Sequence, residues 1–347
     1  MGKYQNVGTP KFYVDYFQWV LTTGQRNSEN LLGTYSGGGQ SDFLFDLEWS
    51  ERKALTKLFH LNPTSLYTLN TTGIDSDLTI NLGLNSDNDY SMNYAMILNH
   101  NFNETGTTFK VKQFDGTTED QVTTGNEINF NATYNGWSFV DFTNQLEENI
   151  TNGIKTMVLE LSHSEAQQGI KMGAISMGTS YTMPHSPDLD LTMTREFGGA
   201  KKQFTKGGAL LTNYNYTQPP TWGDGEAWGL YTDAPTNLGA RRAGRRTWDL
   251  KFSYLSDSDI MADIEMLNLH PIDENEHDYQ PSLTDTNFFS QFMQKTLGGS
   301  LRFIFQPDGS DNNPDGFAIC VLDQDSISIK QVAHNTYNIS LRIMEAW

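Results

Sequence analysis

Two imidazoles and four carboxylates fall within the nine residues His270-Pro271-Ile272-Asp273-Glu274-Asn275-Glu276-His277-Asp278, a donor set that suits a divalent cation. Nothing fixes their spacing. A helical site presents its histidines at i and i+4, and this segment has no such pair, so a solvated charged loop is the simpler reading. Asp311, Asn313 and Asp315, followed by Gly316, match the opening of a calcium loop, in which oxygen ligands alternate before a glycine turn. The match then breaks, because the twelfth position is Leu322 where a bidentate glutamate is required. These three residues are weak calcium candidates, and the sequence calls for no other metal and no cofactor.

Nucleophilic chemistry fares no better. Gly173-Ala174-Ile175-Ser176-Met177-Gly178 approaches the serine-hydrolase elbow but has one residue too many before the serine, and it alternates like a strand. No phosphate-cradling glycine loop and no dinucleotide fingerprint occurs. The acidic pairs Asp188/Asp190 and Asp257/Asp259 serve glycoside hydrolysis only if the fold brings two carboxylates together. The chain is therefore expected to be no enzyme.

Residues suited to contact rather than catalysis stand out more. Trp222 and Trp228 lie in the loop-like Pro219–Trp228 segment, where exposed rings stack on sugar faces or pack against another subunit. Arg241, Arg242, Arg245 and Arg246 form a basic run. From Arg195 to Lys251 nine basic residues face five acidic ones, although the whole chain of 347 residues carries −19. Such an overall charge opposes nucleic-acid and anionic-membrane binding. It favours self-association through opposed patches, with Arg241, Arg242, Arg245, Arg246, Trp222 and Trp228 as the expected assembly interface.

The elements that must position these residues are strands. With 37% apolar and 19% charged residues and many Asn, Thr, Ser and Gly, the composition fits a mainly β protein with frequent turns. Residues 1–60 mix aromatic and glycine-rich stretches and read as an N-terminal arm. Residues 61–187 carry short strands between Asn, Asp and Gly turns, at Leu78–Leu82, Tyr94–Leu98, Thr108–Phe114, Gly136–Phe142, Thr156–Leu161 and Met172–Met177, which implies a β-sandwich. Pro184 and Pro187 interrupt the pattern and mark a boundary.

Residues 188–347 read as a second β-rich domain with one packing helix. Trp248, Leu250, Phe252 and Tyr254 alternate with polar residues, as do Tyr337, Ile339, Leu341 and Ile343. Asn287–Leu297 has a helical apolar stripe that ends at Gly298. Leu301–Phe305 and Phe317–Leu322 form a hairpin around a long turn-rich loop. The lone Cys320, inside an apolar run, reads as a buried small hydrophobe. The N-terminus lacks the apolar core of a signal peptide and no apolar run is long enough to span a bilayer, so a soluble product made in a cytoplasm is expected. The six Asn-x-Ser/Thr sequons are then without consequence.

Two segments carry a resemblance. Tyr94-Ala95-Met96-Ile97-Leu98-Asn99-His100-Asn101-Phe102, Gly136-Trp137-Ser138 and Ile170–Gly178 resemble the galactose-binding-like jelly-roll modules of phage structural proteins. That resemblance covers about residues 62–185 and implies a structural His100 bonded to a loop backbone. Trp248–Phe252, Phe288–Leu297, Phe303–Asp308 and Ile343–Trp347, with the joining segment Met183–Leu189, resemble tail or baseplate-associated virion proteins of tailed bacteriophages. The resemblance implies a non-enzymatic structural subunit, located in the virion after synthesis in the host cytoplasm. Its partners would be copies of itself and other virion proteins. An alternative is a carbohydrate-binding module that contacts a host-surface glycan during adsorption.

Overall fold

Lys11–Asp15 places Phe12 and Val14 on one side of the backbone and Tyr13 on the other. A strand of that composition is stable only with both faces covered and a neighbour on each edge. In the computed structural model this is β1, deep inside the largest sheet. The structure describes residues 7–23, 34–36, 39–41, 57–63, 65–69, 78–83, 93–115, 127–131, 136–141, 155–162, 170–196, 200–214, 245–261 and 286–346.

That sheet has ten strands: β1 (Lys11–Asp15), β2 (Tyr94–Leu98), β3 (Trp137–Asp141), β4 (Ala174–Thr182), β5 (Thr192–Glu196), β6 (Arg245–Ser256), β7 (Phe303–Gln306), β8 (Ala318–Leu322), β9 (Ile329–Ala333) and β10 (Thr336–Glu345). Their order is β5-β6-β10-β8-β7-β1-β4-β2-β3, and β9 lies against the first half of β10. Every pairing is antiparallel.

β1 thus joins the strands of residues 61–187 on one side to those of residues 188–347 on the other, through Phe12↔Tyr181 and Phe12↔Phe305. Over these residues the N-terminal segment is no arm. Its aromatic run serves as a doubly buried strand, a use that period-2 patterning does not reveal. The Pro184–Pro187 interruption falls where the chain leaves β4 and crosses to the far edge at β5.

The chain is mainly β, as the composition predicts. Strands of residues 61–187 divide among the large sheet, a four-stranded one, ordered Leu78–Gly83, Lys155–Ser162, Thr108–Asp115, Glu127–Asn131, and a two-stranded pair of Tyr67–Leu69 with Ile170–Met172. On the large sheet, one face gathers Phe12, Val14, Trp248, Leu250, Phe252, Phe303, Phe305, Leu341 and Ile343. The opposite face gathers Tyr13, Tyr94, Met96, Leu98, Trp137, Ile304, Phe317 and Ile319. β6 and β10 need cover on one face only, so Asp249 and Lys251 are exposed between buried neighbours, as the alternation predicts as far as Phe252; a bulge there breaks the expected pattern, leaving Tyr254 exposed at φ +65 and burying Leu255 in its place. Cys320 is buried.

The segment expected as a helix covers the first face, but as a single π-helical turn, Phe289–Met293, capped by the Asn287 carboxamide, which accepts the Ser290 N–H at 2.8 Å. Phe292 stacks into the sheet with its ring centre 4.7 Å from Phe12 and 4.8 Å from Phe303. Leu297, placed by its spacing on the apolar stripe, instead sits exposed at φ +51, because the chain has already begun to turn toward Gly298 and Gly299. A short helix not foreseen from sequence, α1 (Tyr16–Thr23), follows β1 directly. No helix among the described residues is long and apolar enough to cross a membrane.

Candidate interaction surface

The residues with chemical potential are mostly buried, and their hydrogen bonds show what they do. His100 and Ser138 look like a nucleophile and its base, with Nε2 and Oγ 2.9 Å apart. The Phe102 backbone N–H, however, donates to Nδ1 at 3.3 Å, which leaves the neutral ring's proton on Nε2, donating to the serine. A general base needs that nitrogen bare. Both residues are inaccessible, and the ring stacks on Phe102 at 4.1 Å. His100 is a structural residue fastened to a loop backbone. Ser176 is likewise buried in β4, bonded to Tyr94 Oη at 2.9 Å.

Burial holds the His100 pKa down at about 3. Once unfolded the ring titrates near 6.5. The unfolded chain therefore binds more protons between about pH 3 and 6.5, and stability falls as pH is lowered through that window. Asp15 acts in the opposite sense. Its Oδ1 accepts the Phe17 N–H at 3.1 Å, yet burial, only partly offset by backbone N–H groups, pushes its pKa well above 3.8. Because the folded chain holds this proton to higher pH than the unfolded one, Asp15 lowers stability as pH rises above that value. Replacing His100 with Asn, which keeps an acceptor for the Phe102 N–H, is expected to flatten or reverse the acid-side loss. Urea midpoints from pH 4 to 7 measure this, and a slope equal to that of the parent chain would contradict it.

At the end of β1, Lys295 is buried with its Nζ donating to Tyr16 Oη and Gln291 Oε1, both at 2.9 Å. Burial lowers its pKa to about 7. It joins α1 to the turn after the π-helical segment.

Of the residues expected at an assembly interface, Arg241, Arg242, Trp222 and Trp228 lie outside the described residues, as does the His270–Asp278 cluster. Arg245 begins β6, half-buried and opposite Glu196. Arg246 departs from the expected role. Its guanidinium is buried against Glu345, with Nη2 2.7 Å and Nε 2.9 Å from Oε1, and Nη2 also donates to the Phe317 carbonyl at 3.1 Å. The side chain is spent within the chain and presents no charge to a partner.

Of the weak calcium candidates, Asp311 and Asn313 meet each other. Asp311 Oδ1 accepts both the backbone N–H (3.2 Å) and the side-chain amide of Asn313, closing a turn, while Asp315 lies in the helical turn Pro314–Gly316. No group of three or more His, Cys, Asp or Glu side chains converges to hold a metal ion among the described residues. The acidic pairs are also used locally. Asp188 accepts from Ser253 Oγ, Asp190 pairs with Lys251, and Asp259 caps Ser256.

What the fold leaves exposed is a hairpin that sequence reasoning missed. Ala200–Phe204 pairs with Leu210–Tyr214 as a two-stranded ribbon that follows the edge strand β5. Its turn is closed by the Gly208 N–H donating to the Thr205 carbonyl and the Ala209 N–H donating to Thr205 Oγ1, and Gly208 supplies the required φ of +84. The signal was Gly207-Gly208 between two short β-prone runs.

Residues 202–211 are exposed throughout, including Phe204 (76%), Leu210 (50%) and Leu211 (58%). Phe204 and Leu210 are cross-strand partners and share a face. A two-stranded ribbon is marginally stable by itself. Leaving three large apolar side chains half or more in water forgoes a large part of the about 1.5–3 kcal/mol that fully burying each would contribute. Its lysines Lys201, Lys202 and Lys206 have no acidic neighbour between 200 and 214.

A second exposed region lies around β9. All five of its residues are exposed, and among the described residues its outer edge has no strand partner. Ile329 and Val332 expose apolar surface there, and Tyr254 does so on β6, across β10 from β9. Asp325 precedes β9, and Lys330 lies exposed within it. Among the described residues the chain therefore presents a basic apolar hairpin and a strand edge of mixed polarity. No protein-family model matches the chain, and no curated protein matches it in sequence.

Proposed function

We propose that the chain is a non-enzymatic structural subunit of a tailed-phage virion, in the tail or baseplate, that assembles with copies of itself and with neighbouring virion proteins. The observation that carries this reading is the projecting hairpin, whose exposed Phe204, Leu210 and Leu211 are costly in a free monomer and useful only in contact. The resemblance of the strand, helix and hairpin segments in residues 248–347 to tail-associated virion proteins supplies the biological setting. The buried histidine, serines and lysine support a scaffold role, since each is engaged in holding secondary elements together.

Quantitative mass spectrometry of purified particles from a phage encoding the chain tests the proposal. The chain is expected in several copies per particle and retained through density-gradient purification. Its absence from the particle, or a monomeric purified chain that binds host glycans, would overturn the assignment.

A further inference from the structure

We infer that the outer face of the large sheet binds a sugar ring at Tyr254, with the tyrosine as its stacking platform. This goes beyond the assembly reading above and does not rest on it.

Tyr254 occupies a position that the needs of folding leave unexplained. Simple alternation along β6 would bury it after Trp248, Leu250 and Phe252, with no backbone strain. The bulge between Phe252 and Leu255 instead seats Leu255 in the core and turns Tyr254 outward, 80% exposed at φ +65. A bulky residue in the left-handed region is strained by its Cβ, and a ring in water forgoes its burial. Strain of this kind persists where the surroundings hold it and marks residues set out for contact. Asn338 Oδ1 supplies the hold by accepting the Tyr254 backbone N–H at 3.1 Å.

The side chains placed around the ring suit hydroxyl groups. Ser253 and Tyr254 together oppose Asn338 of β10, and Asn338 opposes the exposed Lys330 of β9. A ring, an amide and an ammonium group thus stand in one row across three strands. Ser253 Oγ donates to Asp188 Oδ2 at 2.7 Å, which adds a carboxylate beside the row. A subunit contact is centred on an apolar cluster with polar groups at its rim. Here one ring stands among polar side chains, which matches a pyranose: a C–H face to stack on the ring, and hydroxyls at its edge for donors and acceptors.

The full chain and three variants, Tyr254→Gly, Tyr254→Phe and Asn338→Ala, test this on immobilised oligosaccharides of glucose, galactose, mannose, rhamnose and N-acetylglucosamine. The parent chain is expected to be retained on at least one of them. Tyr254→Gly is expected to weaken retention by about tenfold while its unfolding midpoint equals or exceeds that of the parent, because glycine accepts φ +65 without strain. Tyr254→Phe keeps the stacking face and is expected to keep most of the binding, and Asn338→Ala to weaken it. Retention on none of the sugars, or retention that Tyr254→Gly leaves unchanged, would overturn the site. A glycine variant less stable than the parent would overturn it too, by showing that the ring serves the fold. So would a glycine variant that loses multimers in sedimentation velocity but no sugar binding, by showing that the ring is a subunit contact. A monomeric chain whose sugar binding depends on Tyr254 would uphold this site and overturn the assembly reading alone.

Discussion

Replacing Arg246 with alanine is expected to destabilise the chain by about 3–5 kcal/mol, the cost of leaving a buried carboxylate without its cation. Arg246 and Glu345 are both buried. The carboxylate receives the guanidinium on Oε1 and the Arg246 backbone N–H on Oε2 at 2.6 Å, so one residue satisfies both oxygens. The guanidinium also lies 5.1 Å from the Trp248 ring centre and reaches the carbonyl just before β8. The pair therefore ties β6 and β10 to β8, in the middle of the second half of the sheet. Urea unfolding followed by tryptophan fluorescence measures the loss. The paired change Arg246→Met with Glu345→Leu is expected to recover most of it, because two apolar groups of similar volume remove the desolvation cost together. An Arg246→Ala chain within about 1 kcal/mol of the parent would contradict the assignment, as the usual cost of losing only an exposed charge is of that order. Reversing this charge thus tests folding rather than assembly, despite its place in the basic run.

Gly178→Ala is the second large effect. Gly178 lies in β4 opposite Asp15 of β1, and a Cβ there would come 2.0 Å from the Val14 carbonyl oxygen and 3.1 Å from the Tyr16 nitrogen. Both obstacles are backbone, in and just after the strand that joins the two halves of the sheet, so no side chain can swing aside. We expect a loss of about 3 kcal/mol or more, at or beyond the upper end for overpacking, seen as a lower urea midpoint or as insoluble product. Gly207→Ala is the matched control. Its Cβ would meet nothing closer than 3.9 Å, and its effect is expected within about 0.5 kcal/mol. Equal midpoints for the two variants would show that β1 and β4 do not approach as described.

Strands with one solvated face were legible in the sequence. Trp248, Leu250 and Phe252 alternate with Asp249, Lys251 and Ser253 because water on one side imposes period 2. Tyr94–Leu98 is buried on both faces, and only its flanking turn residues gave its bounds. β1 was not legible for the converse reason. Covered on both faces, it carries no alternation, and an aromatic run beside glycine-rich sequence resembles an arm as much as a core strand. The π-helical turn kept its apolar residues but not its length, since Leu297 already lies in the left-handed region.

The candidate surface was half legible. Charge asymmetry pointed to the segment from Arg195 to Lys251, which does contain the hairpin. Its arginine run is the more conspicuous feature of that segment, yet Arg246 is a buried counter-ion. Composition reports that a cation is present, whereas its partner, 99 residues away, is set by the pairing of β6 with β10. The β9 edge gave no signal at all, because nothing in Ile329-Lys330-Gln331-Val332-Ala333 marks an edge, which only the topology of the described residues reveals.

The central claim is that this chain is built to assemble and that the hairpin drives it. Mass photometry of the purified chain against a variant with Phe204, Leu210 and Leu211 all changed to Ser tests it most directly. The account predicts discrete multimers for the parent chain and monomers of unchanged unfolding midpoint for the variant; identical mass distributions for the two would contradict it.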